Sequence, residues 1–454
     1  MKKKHISSTK LIPLSFLAAI VIGTCLLMLP VCSAAGTYTD PLTALFTATT
    51  SVCVTGLVVV DTFSYYSTVG HAVILFLIQI GGLGIITVAS ILMVVMRRRF
   101  TMGDRLMLKD ALNLNTPRGV LTMLKSIFKG TFLVEGLGAA LYCIEFIPRF
   151  GVGRGIWVSV FNSSSAFCNA GIDILGSDSL ASYYDNPLVL CVTMALIVLG
   201  GLGFVVWFDI MGTVRNNVKK RYRLSLLWKR LSEHTKLVLV LTFSLIVVGA
   251  VFIFFNEYNN PATIGGMTLS QKIYNSFFES ITLRTAGFSS FPQKGLTDIS
   301  CVGSYFLMFI GGSPIGTAGG IKTVTFFLAC MNVYTYIADD MKNLVFKKYV
   351  TPALMRKASV IVSVSTTTML VMTLLLMATN PVAIEDGIFE IVSATATVGL
   401  TRDLTSSLNT VGKIIIIISM YLGRIGPISM AIFFAARKPR KDSLHYTEGE
   451  FFVG

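Results

Sequence analysis

Four short stretches of the chain share one spacing, a phenylalanine followed ten residues later by a glycine. They are FTATTSVCVTG with Phe46 and Gly56, FNSSSAFCNAG with Phe161 and Gly171, FFESITLRTAG with Phe277 and Gly287, and FEIVSATATVG with Phe389 and Gly399. The glycines lie 115, 116 and 112 residues apart. The ligands such a pattern offers are backbone carbonyls, because glycine tolerates positive φ and lets successive carbonyls point the same way. Four loops of this kind around one axis make a ring of oxygens that can replace the hydration shell of a monovalent cation. Ordinary tight turns are the plain alternative. Four copies in register, each rich in Ser, Thr and Ala, favour the ring.

A ring of that kind needs a membrane scaffold, and the composition supplies one. Of 454 residues, 53% are hydrophobic and only 13% charged, with a mean hydropathy of +0.72, whereas soluble domains carry about 25% charged residues. So much apolar surface cannot be hidden in a water-soluble core. A soluble enzyme, a nucleic-acid binder, a disulfide scaffold and a disordered chain are all excluded. Apolar runs predict eight spanning helices over 11–32, 70–96, 124–147, 187–214, 236–257, 300–338, 357–379 and 408–436. Residues 1–34 also resemble a signal peptide, but the run from Leu11 to Cys32 is long enough to span and is read as a helix.

Each glycine stretch sits between two spans and is too short to cross, as expected of a re-entrant segment. In the first, Asp40-Pro41 fits an N-cap and first helical residue; Ser270 and Asp386 suit the same place in the third and fourth. A pore helix there would direct its partly negative C-terminus at the ring. A second set of glycines follows at Gly81-Gly82-Leu83-Gly84, Gly200-Gly201-Leu202-Gly203, Gly311-Gly312 and Gly423-Arg424-Ile425-Gly426. The expected fold is an all-α membrane protein of four pseudo-symmetric helix, pore loop, helix repeats around one central pore. The repeats are 1–100, 101–220, 221–345 and 346–440, followed by a cytoplasmic tail, 441–454.

The net charge is +15, and the basic residues are segregated. Twenty-nine of the 38 fall in five clusters at residues 2–10, 97–129, 215–236, 342–357 and 437–441, which the positive-inside rule places in the cytoplasm with both termini. Asp40, Asp61, Glu145, Asp173, Asp178, Asp185, Glu257, Glu279, Asp298, Glu385, Asp386, Glu390 and Asp403 fall in or beside the outer stretches, which predicts an outer face that attracts cations. The eight cysteines show no C-x-x-C spacing and read as small packing residues.

The sixth span contains FIGGSPIGTAGGIKTV, residues 309–324, with five glycines and Pro314. A regular helix cannot run through it, and irregular backbone at membrane depth must lie against protein or a water-filled cavity. Residues Gly311, Gly312, Ser313, Pro314, Gly316, Thr317, Gly319 and Gly320 are therefore expected to form a gate loop across the pore; a packing kink between close helices is the alternative. Arg424 lies mid-span, where a charge must face the interior. It is expected either to hold that loop's carbonyls as an electrostatic constriction or to pair with Glu135 or another buried acid. Lys322 suits the same constriction or a reach to the cytoplasmic side. Arg284, within a filter stretch, reads as a strut paired with Glu279 or Glu390.

Four such repeats in one chain, each with one filter glycine, resemble the superfamily of Trk, Ktr and HKT potassium transporters over nearly the whole length. The chain is most similar to the KtrB-type membrane subunits of bacterial Ktr systems, since it begins almost directly with the first repeat helix. The resemblance implies potassium uptake, often sodium-dependent, with K+ as the transported ion and Na+ as activator. It also implies a homodimer with one pore per subunit and a cytosolic nucleotide-binding regulatory ring of the KtrA type. It carries the filter glycines onto Gly56, Gly171, Gly287 and Gly399. The carbonyl-bearing residues before them are then Cys53, Val54 and Thr55; Cys168, Asn169 and Ala170; Arg284, Thr285 and Ala286; and Ala396, Thr397 and Val398. In the HKT branch a serine at the first filter position goes with sodium preference, so Gly56 implies potassium. The four segments differ from one another, which implies looser selectivity than that of four identical channel loops.

Catalysis has no support. With His5, His71, His234 and His445 the only histidines, and with neither an H-E-x-x-H, a Cys/His metal set nor a nucleophile motif, no catalytic residue is assigned. A secondary transporter of another cation or small solute, binding at the broken sixth helix, is the competing class; it usually shows two repeats rather than four. The chain holds no polar stretch long enough to fold as a regulatory module. Its expected partners are membrane lipid, a second copy and the regulatory ring, with no nucleic acid.

Overall fold

The computed structural model describes residues 8–84, 90, 120–176, 178–220, 227–338 and 343–426. The described helices, in chain order, are α1 (Ser8–Leu27), α2 (Pro41–Cys53), α3 (Thr62–Tyr65), α4 (Thr68–Leu83), α5 (Val120–Phe150), α6 (Val152–Cys168), α7 (Pro187–Gly201), α8 (Phe204–Lys219), α9 (Leu227–Arg230), α10 (Glu233–Glu257), α11 (Leu269–Thr282), α12 (Asp298–Phe309), α13 (Thr323–Ile337), α14 (Pro352–Thr379), α15 (Ile384–Ala396) and α16 (Thr410–Ile425). A hairpin of Leu344–Val345 with Lys348–Tyr349 precedes α14. Most of the basic clusters, including Lys2 to Lys4, Arg97 to Arg118 and Arg437 to Lys441, lie outside the described residues.

Among the described residues, α5, α10 and α14 are each long and apolar enough to cross a bilayer. Their outward sides carry exposed Leu133, Leu137 and Ile144, Phe243, Val248 and Phe255, and Leu370 and Leu374, while Ser, Thr, Asn and Glu side chains are buried inside. An apolar exterior, with polar side chains kept inside among the buried apolar ones, suits hydrocarbon surroundings. The second helices of the expected repeats depart from the simple spans. The run 187–214 is not one helix: α7 and α8 meet at 95°. The break falls at Gly203, which has φ +87° and lies against the Pro314 carbonyl oxygen. Gly84 and Gly426 end α4 and α16 with nearly the same dihedrals, φ/ψ 83°/131° and 86°/141°, and the rest of the spans 70–96 and 408–436 lies mostly outside the described residues.

The four short helices α2, α6, α11 and α15 form the buried centre. Asp40 caps α2, its carboxylate accepting from the Leu42 and Thr43 amides at 3.1 Å each, with Pro41 first in the helix. The other two expected caps are corrected. Thr268, in a capping box with Gln271, starts α11. Ala383 precedes α15, while Asp386 pairs with Arg402 at 2.8 Å. The phenylalanine register also needs one correction. Phe46, Phe161 and Phe389 are fully buried, but in the third copy the fully buried ring is Phe278, and Phe277 is only partly covered.

The acidic outer face is thinner than the sequence suggests. Glu257, Glu279 and Glu390 are fully buried, Glu145 pairs with Arg149 at 2.5 Å, and Asp40 and Asp61 are helix caps.

Candidate functional site: a closed order of backbone carbonyls beside a glycine-rich loop

Each short helix ends and the chain turns at a residue in the left-handed region two positions before the glycine. These are Val54 (φ 55°), Asn169 (φ 59°), Thr285 (φ 68°) and Thr397 (φ 52°). The glycines follow with φ of 105°, 63°, 84° and 96°, a region in which a side chain is strained. Their spatial relation closes a circle. A Cβ on Gly56 would lie 2.7 Å from the Ala170 carbonyl oxygen, one on Gly171 2.7 Å from that of Ala286, and one on Gly287 2.5 Å from that of Val398. One on Gly399 would strike the carbonyl oxygen of Thr55, which returns to the first segment. Thus the carbonyls of Ala170, Ala286, Val398 and Thr55 follow one another in a closed order, each against the preceding segment's glycine.

The segments are held by hydroxyls four residues after the buried phenylalanines, a set the sequence reading overlooked. Thr50 Oγ1 and Ser393 Oγ accept from the amides of Gly56 and Gly399 at 3.0 Å each. Ser165 and Thr282 instead donate to the carbonyls of Ile172 and Phe288, at 2.5 and 2.6 Å. The signal was a Ser or Thr at that offset. It is visible in all four copies only once Phe278 replaces Phe277, because the third segment is one residue shorter between hydroxyl and glycine. The second glycine set has a packing role. Gly81, Gly200 and Gly423 present bare backbone to the Val52, Phe167 and Thr395 carbonyls, near the C-terminal ends of α2, α6 and α15. A methyl group there would push the helices apart.

Between α12 and α13, residues 310–322 leave the helix as a loop. Its neck is closed by Gly311 N–H to Ile321 O at 3.0 Å and Thr323 N–H to Gly312 O at 3.0 Å. The body leans on the break after α7: Ser313 N–H donates to Gly201 O at 2.9 Å, Thr317 N–H to Gly200 O at 3.2 Å, and Phe204 N–H to Ile315 O at 3.0 Å. All eight expected loop residues, from Gly311 to Gly320, fall in this segment, and Gly311, Gly312, Ser313, Thr317 and Gly319 are buried. The loop reaches the ring's supports. Thr317 Oγ1 donates to Phe167 O at 3.0 Å, Gly319 N–H to Thr285 Oγ1 at 3.2 Å, and Gly319 packs against Ala396 and Thr397.

Three cations hold loop carbonyls. Arg424 donates to Thr317 O at 2.8 Å and to Gly81 O at 2.5 Å, so it joins the loop to α4 rather than pairing with Glu135. Glu135 accepts instead from Gln79, at 2.7 and 2.8 Å, and from Ser164 at 3.1 Å. Lys322 folds back onto Ala318 O at 2.5 Å. Arg284 pairs with neither expected acid but donates to Gly311 O at 3.2 Å; Glu279 accepts from Gln293 at 3.2 Å and Glu390 from Thr401 and Thr405. Among the described residues there is no cluster of His, Cys, Asp and Glu suited to a metal ion.

Residues 6–446 match the family described as TrkH, cation transport protein. The chain is 36% identical to the Ktr system potassium uptake protein B of Bacillus subtilis, over 98% of this chain and 96% of that protein. It is 34% identical to the potassium/sodium uptake protein NtpJ of Enterococcus hirae, over 100% and 98%, and 34% identical to the Ktr system potassium uptake protein B of Vibrio alginolyticus, over 98% and 94%. Its fold is similar to the crystal structure of the potassium transporter TrkH from Vibrio parahaemolyticus. The TM-score is 0.74 at 15% identity, covering 95% of this chain and 86% of the other.

Proposed function

The chain belongs to the TrkH family of cation transport proteins, and from that premise we propose that it takes up potassium across the cytoplasmic membrane through its carbonyl ring, with residues 310–322 as the gate. The observation that carries this reading is the closed order in which Gly56, Gly171, Gly287 and Gly399 each face the carbonyl preceding the next glycine. A cation centred there exchanges water for oxygens already fixed in place by the hydroxyl clamps. The C-terminal ends of α2, α6, α11 and α15 add partial negative charge around it. Glycine at position 56 leaves no side chain to narrow the ring, which suits potassium.

Below the ring the loop closes the path. The guanidinium of Arg424 serves twice there, as a donor that holds Thr317 and as a positive charge opposing the passage of a cation. Opening requires the loop to leave these donors. The free energy for that comes from a cytosolic nucleotide-binding ring of the KtrA type, and Na+ acts as activator. The protein works as a homodimer in the lipid bilayer with one pore per subunit and both termini in the cytoplasm. Names of relatives such as Ktr system potassium uptake protein B support the cargo.

The test is growth of a potassium-uptake-deficient bacterium expressing this chain with a KtrA-type subunit, at limiting potassium, with and without sodium. Restored growth and saturable rubidium uptake, both enhanced by sodium, are expected. Normal protein in the membrane without rubidium uptake overturns the proposal.

A further inference from the structure

Among the described residues, one of the four ring segments, the third, is hydrogen-bonded to the loop near both of the loop's ends. In the third segment Arg284 donates to the carbonyl of Gly311, where the loop leaves α12, at 3.2 Å. The adjacent Thr285 accepts from the Gly319 amide, near the loop's return, at 3.2 Å. The equivalent pairs in the other segments are Cys53-Val54, Cys168-Asn169 and Ala396-Thr397, none with a cation. Thr285 itself has φ 68°, and the next residue, Ala286, supplies the carbonyl that faces Gly171. Moving the loop therefore pulls on a backbone that turns directly into the ring.

The surroundings of Arg284 are not fully packed. A cavity beside the loop is lined by Arg284, Gly312, Asn169, Thr242 and Ile246. Arg284 is buried, 8% exposed, yet its Nε has no hydrogen-bond partner, and neither has Thr242 Oγ1 in the same cavity. A guanidinium whose hydrogen bond is to one loop carbonyl, beside a small cavity, releases the loop at the cost of that single bond.

We propose that Arg284 and Thr285 are positioning residues that couple the ring to the loop, so that opening the loop relaxes the third ring segment and ion occupancy of the ring biases the loop. This rests on the ring and gate reading above. Coupling of binding equilibria is reciprocal, so a weakened link must alter apparent ion affinity together with maximal rate.

The experiment is a double-mutant cycle read as rubidium uptake per folded protein in the membrane. One axis is Arg284→Gln, with Arg284→Lys as the conservative variant; the other is deletion of residues 311–319. In the full-length loop, Arg284→Gln is expected to raise maximal rate and weaken apparent rubidium affinity, each by about threefold or more, well within what loss of a charge-assisted bond permits. Arg284→Lys should recover part of both. In the loop-deleted protein the substitution should change affinity by less than about 1.5-fold, because its partner is gone. Thr285→Val, which loses only the acceptor for Gly319, runs the same cycle if Arg284→Gln reaches the membrane poorly. An affinity change of equal size with and without the loop, or none in either background, overturns the coupling. A loop deletion that leaves maximal rate unraised sinks the gate reading instead, which separates the two failures.

Discussion

Arg424 and Thr317 are 107 residues apart and are joined by a guanidinium-to-carbonyl hydrogen bond of 2.8 Å. The same guanidinium bonds Gly81 O, so one side chain of α16 holds the loop between α12 and α13 against α4. Three of the expected repeats meet at this residue.

Arg424→Ala removes both bonds and the positive charge. At about 1.5 kcal/mol for a hydrogen bond to a charged group, the loop's equilibrium shifts toward open by roughly tenfold. Maximal rubidium flux per protein should rise severalfold, and apparent affinity should move less than rate. Normal protein amounts with unchanged or lower flux would show that Arg424 is a structural tie.

Gly56→Ser tests the ring. A side chain at φ 105° is strained, and its Cβ would lie 2.7 Å from the Ala170 oxygen, so the carbonyls must shift while a hydroxyl ligand is added. The expected result is a fall in potassium over sodium preference, measured as relative uptake of the two ions. Gly136, where a Cβ meets nothing within 4 Å, is the control: Gly136→Ala should leave selectivity and protein amount unchanged.

The register correction has its own test. Phe278→Ala empties a fully buried site and should cost on the order of 3 kcal/mol, whereas Phe277→Ala should cost well under half as much. Thermal unfolding of the purified protein, followed by tryptophan fluorescence in detergent, compares them. Equal losses would return the third copy to the ten-residue spacing.

Orientation follows from the basic clusters. A cysteine at Ser182, exposed before α7, should react with an impermeant maleimide from outside, and one at Asn216, exposed beside Arg215 and Lys219, only from inside. Reversed labelling would overturn the assignment of both termini to the cytoplasm.

Much of the site was legible in the sequence because it is made of residues whose backbone demands are strong. Gly56, Gly171, Gly287 and Gly399 had to be glycine, and Gly311 to Gly320 could not be helix, so periodicity and glycine spacing located both. Side-chain partners were less accessible. Arg284 was expected to pair with a carboxylate, and Arg424 with either a carboxylate or the loop's carbonyls; the structure gives both main-chain carbonyls, at Gly311, Thr317 and Gly81. Carbonyls are identical in every residue and leave no trace in a sequence.

The sequence by itself determined the membrane class, the helical elements and the four glycine segments, because apolar runs and positive-φ glycines are local properties. Only the tertiary structure decided the bend between α7 and α8, where a loop from the next repeat occupies the path of a straight helix at Gly203. It alone decided which of two adjacent phenylalanines is buried, since a one-residue difference in loop length is resolved by packing. It also decided that the third segment is bound near both ends of the loop, through Arg284 and Thr285. Those three outcomes depend on what another part of the chain places nearby, and no local pattern encodes that.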